Sequence, residues 1–409
     1  MPDLWQNLTR IINNLFMFIY ECDSCGKTFE RDSVRYLCPD CSKEYIHGNP
    51  LIGVLKVIFD YDYIKKQIDL KNPDWNLFSA VEQKYFPDYP VGNTPFFKIN
   101  NFDNNVWIKN DGLNPSGSLK DRASFLVVSE SNRLGINTIV TASTGNAASA
   151  LAAVCAASNK KAIIFVPESA PKAKLVQMIL YGAKVIPIKG SYDDAFKLSL
   201  EYTEKFNGLN RNTAYHPLTI EGKKTVGLEL FAQNNFIAPD IVFIPVGDGV
   251  IISGVYKAFY DLKMCGFIDK LPKLICVQAE NSSAIHNFIT SGNYKNLSSS
   301  DTIADSISVS APSNAYMAKK AVIESGGFSV TVSDKEILEA QKIMANKAGI
   351  FAEPAASATY AGYIKSVNNL NSNEQVVLLI TGHGLKDIDA SLSGIKIPEA
   401  IIPDINNVN

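Results

Sequence analysis

The residue types best suited to chemistry stand together in Asn114-Pro115-Ser116-Gly117-Ser118-Leu119-Lys120-Asp121-Arg122. Asn-Pro and Ser-Gly favour a tight loop. Ser118 followed three residues on by Asp121 is a capping-box pattern, and the run Ala123 to Val128 continues it with apolar residues. A helix is therefore predicted to start here and to end at Gly135. Lys120 falls in its first turn, where the positive end of the helix dipole disfavours a further positive charge. A lysine so placed gives up its proton more readily and is a better nucleophile toward an aldehyde. A lone lysine is ordinarily a solvated surface residue; the composition of the whole stretch argues for a reactive one.

Three more loops carry candidate chemistry. Ser143-Thr144-Gly145-Asn146 lies between the apolar run Thr138 to Ala142 and an alanine-rich helix from Ala147 to Ser158. Its backbone N–H groups form an anion site, although such a tetrapeptide alone is also a plain helix cap. Val246-Gly247-Asp248-Gly249-Val250-Ile251 again joins a strand to a helix, Ile252 to Leu262. Its glycines let the backbone wrap a phosphate at a helix N-terminus, and Asp248 must then turn its side chain away. Gly-Lys-Ser/Thr is missing, which excludes a Walker site, and Gly-x-Gly-x-x-Gly is not met. Thr381-Gly382-His383-Gly384-Leu385-Lys386-Asp387 follows the apolar run Val376 to Ile380. His383 reads as a core histidine and is given no catalytic role.

Cys22-Asp23-Ser24-Cys25 and Cys38-Pro39-Asp40-Cys41 form a different kind of group. Two Cys-x-x-Cys turns let four thiolates converge on one metal, and Zn²⁺ prefers such a soft, closed set. A redox pair is the rival reading; two pairs in so short a span favour metal. Zinc ribbons also serve as nucleic-acid modules, so the motif by itself does not give function.

The elements that must position these groups follow a strand–loop–helix rhythm from Thr138 onward. Ala162 to Pro167 and Lys184 to Ile188 read as strands, with helices from Pro171 to Tyr181 and from Tyr192. Later strands are predicted at Ile241 to Val246, Leu274 to Gln278 and Gln375 to Ile380, with Val106 to Lys109 leading into the lysine loop. Continuous apolar strands joined by helices imply a parallel sheet covered on both faces. Residues 50–90 hold Pro73, Pro87, Pro90 and many aromatics, and are expected to form helices over the body.

The lysine stretch resembles the cofactor-lysine signature of the fold-type-II pyridoxal-phosphate (PLP) enzymes, the tryptophan synthase β family, and its wording is nearest to threonine synthases. Val91-Gly92-Asn93-Thr94-Pro95-Phe96, the Ser143 loop, the Val246 loop, Phe351-Ala352-Glu353-Pro354-Ala355 and the Thr381 loop resemble further segments of that family. The resemblance spans roughly residues 90–390, and some threonine synthases carry a similar cysteine-rich N-terminal piece. It implies an α/β fold of two doubly wound parallel-sheet domains of PLP fold type II plus a small N-terminal zinc ribbon. The expected division is 1–48 for the N-terminal extension and ribbon, 49–135 with 216–409 for the large PLP-binding domain, and 136–215 for the small α/β domain.

By that resemblance Lys120 is the catalytic residue and binds PLP. Gly247, Asp248, Gly249, Val250 and Ile251 hold the cofactor phosphate, Asn146 the ring hydroxyl, and Thr381 the pyridine nitrogen, which a hydroxyl does not force to be protonated. Ser143 and Thr144 take the substrate carboxylate, and Lys174 helps bind substrate phosphate. Cys22, Cys25, Cys38 and Cys41 hold a structural Zn²⁺. The implied activity converts O-phospho-L-homoserine and water to L-threonine and phosphate. One block departs from the family's wording: Thr213-Ala214 stands where it has Asn-Ser, and Thr219 where it has Arg. An arginine fork on phosphate has no equivalent in threonine. A related lyase with another substrate (a dehydratase or a β-replacement enzyme) and a non-enzymatic zinc-ribbon binding protein are the alternatives.

Composition bounds these readings. The chain has 409 residues, 46% hydrophobic and 20% charged, with a formal net charge of -2. That is an ordinary globular balance with material for two or three domains and no basic footprint for nucleic acid. No apolar run approaches the roughly 20 residues of a membrane span, and the short N-terminal patch Leu15 to Tyr20 lacks a signal-peptide cleavage site. Seven cysteines, four of them in one motif, argue against a disulfide framework and for the cytoplasm. The expected partner is a small amino-acid substrate, and the sequence admits a homodimer.

Overall fold

The computed structural model describes residues 18–46, 48–69, 71, 73–102, 105–170, 172–400 and 403. The extension before Phe18, which was to precede the ribbon, and Pro171 at the start of one expected helix lie outside them. Thirteen strands are described: β1 (Phe18–Cys22), β2 (Thr28–Glu30), β3 (Leu55–Phe59), β4 (Phe96–Lys98), β5 (Val106–Asn110), β6 (Thr138–Ala142), β7 (Lys161–Pro167), β8 (Lys184–Ile188), β9 (Leu209–Asn210), β10 (Ile241–Pro245), β11 (Lys273–Ala279), β12 (Ser329–Val332) and β13 (Val376–Ile380).

They make three sheets. The first is antiparallel, with β1 between β2 and β3. The second has the order β12-β11-β10-β13-β5-β4, parallel except at the β4 edge. The third, β8-β7-β6-β9, is wholly parallel. The chain enters the six-stranded sheet at β4 and β5, leaves to build the four-stranded one, and returns at β10.

Period-2 side-chain alternation explains how each strand serves two cores. In β10, Ile241 and Phe243 join a core with Tyr360 and Tyr363, while Val242 and Ile244 join another with Val255 and Phe259. In β7, Ile163 and Phe165 pack with Ala195, and Ile164 and Val166 with Ala148 and Ala152. Both faces are covered by helices, as continuous apolar parallel strands require.

Residues 50–90 differ from expectation. Their first part is strand β3, paired with β1 in register Phe18↔Phe59, so the N-terminal sheet reaches past the cysteine motif. Among the described residues of this stretch, helical structure follows at Tyr61–Gln67 and in short 3-10 turns. Leu55, Val57 and Phe59 point inward and Lys56 and Ile58 lie half-buried, a half-buried strand pattern. This sheet is fixed to the body at several points. Arg31 reaches Glu82 and Glu130, Arg133 reaches Asp32, and the Tyr36 hydroxyl accepts the backbone N–H of Asn210 at 3.0 Å while its ring stacks on Tyr215 at 4.6 Å. Among the described residues no helix is long and apolar enough to cross a membrane.

Candidate active site

Lys120 opens the helix Lys120–Arg133, whose end at Leu134 and Gly135 (φ +67°) is where the sequence places it. The loop before it is tied to the end of β13: Leu119 N–H donates to Thr381 O at 2.9 Å, and His383 N–H to Gly117 O at 3.0 Å. The predicted Ser118–Asp121 cap does not form. Ser118 is engaged in a bridge to Gly382 and its buried hydroxyl has no partner. The Asp121 carboxylate instead accepts from the backbone N–H of Ser116 at 2.7 Å and from its hydroxyl. Burial raises the Asp121 pKa to about 6.

Two residues on, Arg122 is buried and forks onto two carboxylates. It donates to Asp111 at 2.6 and 2.9 Å and to Glu229 at 2.7 and 2.8 Å. These bonds clamp the lysine helix to the end of β5 and to the helix Leu218–Gln233.

The Lys120 side chain keeps some exposure because it faces a cavity, yet protein surrounds it. Its pKa is lowered, first by burial and further by the Arg211 charge, with Glu353 and Asp248 opposing. Burial is the largest cause of the lowering. A narrow recess holds Lys120 together with Gly247 to Ile251 and Thr381, and opens beside a cavity of about 650 Å³ lined by Ser143 to Asn146. Three strand ends from two sheets therefore bring the predicted loops to one place, at the carboxyl ends of parallel strands, as ligand sites in open α/β sheets require.

The Val246 loop has the expected form. Gly249 adopts φ +88°, and a Cβ there would lie 2.8 Å from Asn314 O. The helix Val250–Met264 starts directly after it, so its first N–H groups face the recess. Both Asp248 oxygens are engaged by Ser313, from its N–H at 2.6 Å and its hydroxyl at 2.7 Å. Asn146 begins its helix and donates from Nδ2 to Glu353 at 2.9 Å and to Ser306 at 3.1 Å. His383 is half-buried rather than in the core; its ring accepts from Leu385 N–H and caps a short turn.

Comparison with known proteins shows which family the chain belongs to. Residues 88–382 match the pyridoxal-phosphate-dependent enzyme family. The chain belongs to that family. It is 35% identical to a threonine synthase of Methanocaldococcus jannaschii, covering 95% of this chain and 98% of that one. A threonine synthase of Methanosarcina acetivorans is 34% identical over 96% and 98%. Among solved structures, a serine ammonia-lyase from Rhizomucor miehei superposes with a TM-score of 0.65 at 22% identity, covering 74% of this chain and 97% of its own. Maize serine racemase gives 0.64 at 22%, covering 74% and 92%. These structures share the fold.

The site suits PLP on its own chemistry. An amine of lowered pKa, a glycine loop at a helix N-terminus and a strand-end hydroxyl surround one recess, matching the aldehyde, phosphate and ring nitrogen of the cofactor. Two further cations stand here, Lys223, which the sequence also offers as a point charge for phosphate, and Arg211, which sequence reasoning missed. Lys223 lines the recess and donates to Thr213 Oγ1 at 3.0 Å; burial and the charges of Lys120 and Arg211 push its pKa well down. Arg211 is fully buried at the cavity wall, and burial lowers its pKa to about 10. Its place directly after β9, at the carboxyl end of a parallel strand, is visible only in the fold.

The altered block also reads differently in three dimensions. Thr213 lines the recess and the cavity. Ala214 and Thr219 are fully buried away from both; the Thr219 hydroxyl donates to His216 O at 2.8 Å and accepts from Ala214 N–H at 3.1 Å. The side chain of Lys174, on the helix Lys172–Leu180, lies outside the described residues.

The four motif cysteines do converge. Their sulfurs lie within 4.8 Å of one another, with Cys22–Cys41 at 3.8 Å and Cys25–Cys38 at 4.0 Å. Four sulfurs at about 2.3 Å from a tetrahedral zinc stand roughly 3.8 Å apart, so the set fits that ion.

Proposed function

We propose that this protein is a threonine synthase, converting O-phospho-L-homoserine and water to L-threonine and phosphate. The observation that carries the reading is similarity to threonine synthases along essentially their whole length. Bound PLP supplies an electron sink that acidifies C–H bonds of the amino-acid substrate. The remaining work falls to residues of this chain. Lys120 holds the cofactor and then, as a neutral amine favoured by burial, moves protons at Cα and Cβ of the substrate. Gly247 to Ile251 and the following helix N-terminus hold the cofactor phosphate, Thr381 meets the ring nitrogen, and Asn146 the ring hydroxyl. Asp248 leaves that phosphate unopposed by turning to Ser313. Ser143 and Thr144 receive the substrate carboxylate, and Lys174 adds positive charge on the phosphate side.

Cys22, Cys25, Cys38 and Cys41 hold a structural Zn²⁺ remote from the reacting atoms. The proposed division is 1–48, 49–135 with 216–409, and 136–215, and the pairing of β3 with β1 brings one strand of the second unit into the first sheet. The reading places the protein in the cytoplasm and admits a homodimer. The test is phosphate release from O-phospho-L-homoserine, measured against a panel of other amino acids. Turnover of that substrate and its loss in Lys120→Ala are expected. Turnover of serine or threonine in its place would refute the assignment.

A further inference from the structure

Arg211 has more donors than partners. Its Nε donates to Ser124 Oγ at 3.2 Å, one helical turn beyond Lys120, and its backbone N–H to Val140 O at 2.7 Å. Its Nη2 is buried with no hydrogen-bond partner among the described residues. An orphaned guanidinium N–H in a protein interior is costly, and such a group persists where a ligand completes it. Arg211 lines the large cavity together with Lys120, Thr213 and the Ser143 loop.

A phosphorylated amino acid brings two anions into that cavity. The carboxylate is suited to the N-terminal N–H groups of the helix Asn146–Ala157, which leaves the phosphate to be met. Thr219 does not reach the cavity. Lys223 lies in the narrow recess with the glycine loop, on the side of the cofactor phosphate. Resting on the functional reading above, we propose that Arg211 grips the substrate phosphate through its unpartnered Nη2 and so selects a phosphorylated amino acid. A guanidinium is the fitting group, because its fork matches two phosphate oxygens and it stays charged when buried.

The test uses PLP-loaded parent, Arg211→Gln and Arg211→Lys enzymes. Three quantities are measured: KM and kcat for O-phospho-L-homoserine, competitive inhibition by inorganic phosphate, and the affinity for inorganic phosphate by titration of the holoenzyme without substrate. Loss of a charge-assisted contact should raise KM and weaken phosphate binding by about 10- to 100-fold in Arg211→Gln, with cofactor absorbance retained. Arg211→Lys should recover part of both, as a point charge without the fork. Unchanged KM and phosphate affinity in either folded, cofactor-loaded variant would overturn the proposal. So would a change confined to the pH profile, which would make Arg211 only a neighbour that tunes Lys120. If the parent does not turn over phosphohomoserine, the functional reading fails separately. Phosphate binding by the parent that Arg211→Gln loses then still supports the anchor, and parent enzyme that binds no phosphate refutes it.

Discussion

Replacing Arg122 by Gln tests what holds the reactive lysine in place. Burial alone would raise the Glu229 pKa; the Arg122 guanidinium outweighs it and, with Lys109, holds the carboxyl at about 2 against an ordinary 4.5. At about 1.4 kcal/mol per pH unit that difference is worth roughly 3 kcal/mol. The Glu229 side chain is only 24% exposed, so little of this is screened away. Because the folded-state pKa is depressed, the stabilisation is present above pH 4.5 and is lost as pH falls from there toward 2. Arg122→Gln removes the fork and leaves Asp111 and Glu229 as buried charges with Lys109 as the remaining cation. Removing one partner of such a group costs about 3–5 kcal/mol. Urea unfolding of parent and variant at pH 7 should show a gap of that size. At pH 5 the gap should narrow by about 1 kcal/mol or more, because burial now raises the Glu229 pKa in the variant and protonation relieves it. The variant should also bind PLP more weakly, since Lys120 lies two residues from the lost clamp. A gap under about 1 kcal/mol at pH 7, or one that widens as pH falls, would refute this account of the clamp.

Three further perturbations have definite outcomes. A Cys22→Ser/Cys38→Ser protein should lose zinc by metal analysis while retaining PLP, with its loss of function falling on KM because Tyr36 braces the segment that carries Arg211 and Thr213; equal zinc in parent and variant would end the assignment. Gly249→Ala forces a side chain into φ +88° and against Asn314 O, so stability should fall by at least about 1 kcal/mol and absorbance titration should show weaker cofactor binding. Thr219→Arg should destabilise the fold by about 1–3 kcal/mol from overpacking and leave the KM for phosphohomoserine no lower, whereas tighter substrate binding would place position 219 in the cavity after all.

The parts legible in sequence are those fixed locally. β6 and β8 fall where the apolar runs put them, and β7 begins one residue early, because a buried parallel strand needs continuous apolar residues whatever its neighbours are. The four functional loops were legible because each must combine a strand end, a tight turn and a helix start within a few residues. Strand β3 was missed since its partner β1 lies over thirty residues earlier, and prolines and aromatics downstream obscured its alternation. The cap at Ser118 was misread for a related reason. Spacing alone allows Ser118 or Ser116 to meet Asp121, and the bridge to Gly382, more than 260 residues away, withdraws Ser118.

The block at 213–219 shows where position-by-position reasoning gives out. It asks which residue replaces an arginine at one place in the chain, whereas binding a phosphate requires only that some cation reach the cavity. Any backbone position on the rim can supply it. Thr219 sits inside a turn whose two hydrogen bonds consume its hydroxyl, so its identity bears on that turn. Arg211 lies eight residues earlier and emerges from the end of β9 with one donor unspent. In sequence it is a single arginine in a polar stretch. Only its burial, its free Nη2 and the cavity in front of it separate it from the charged residues that merely face water.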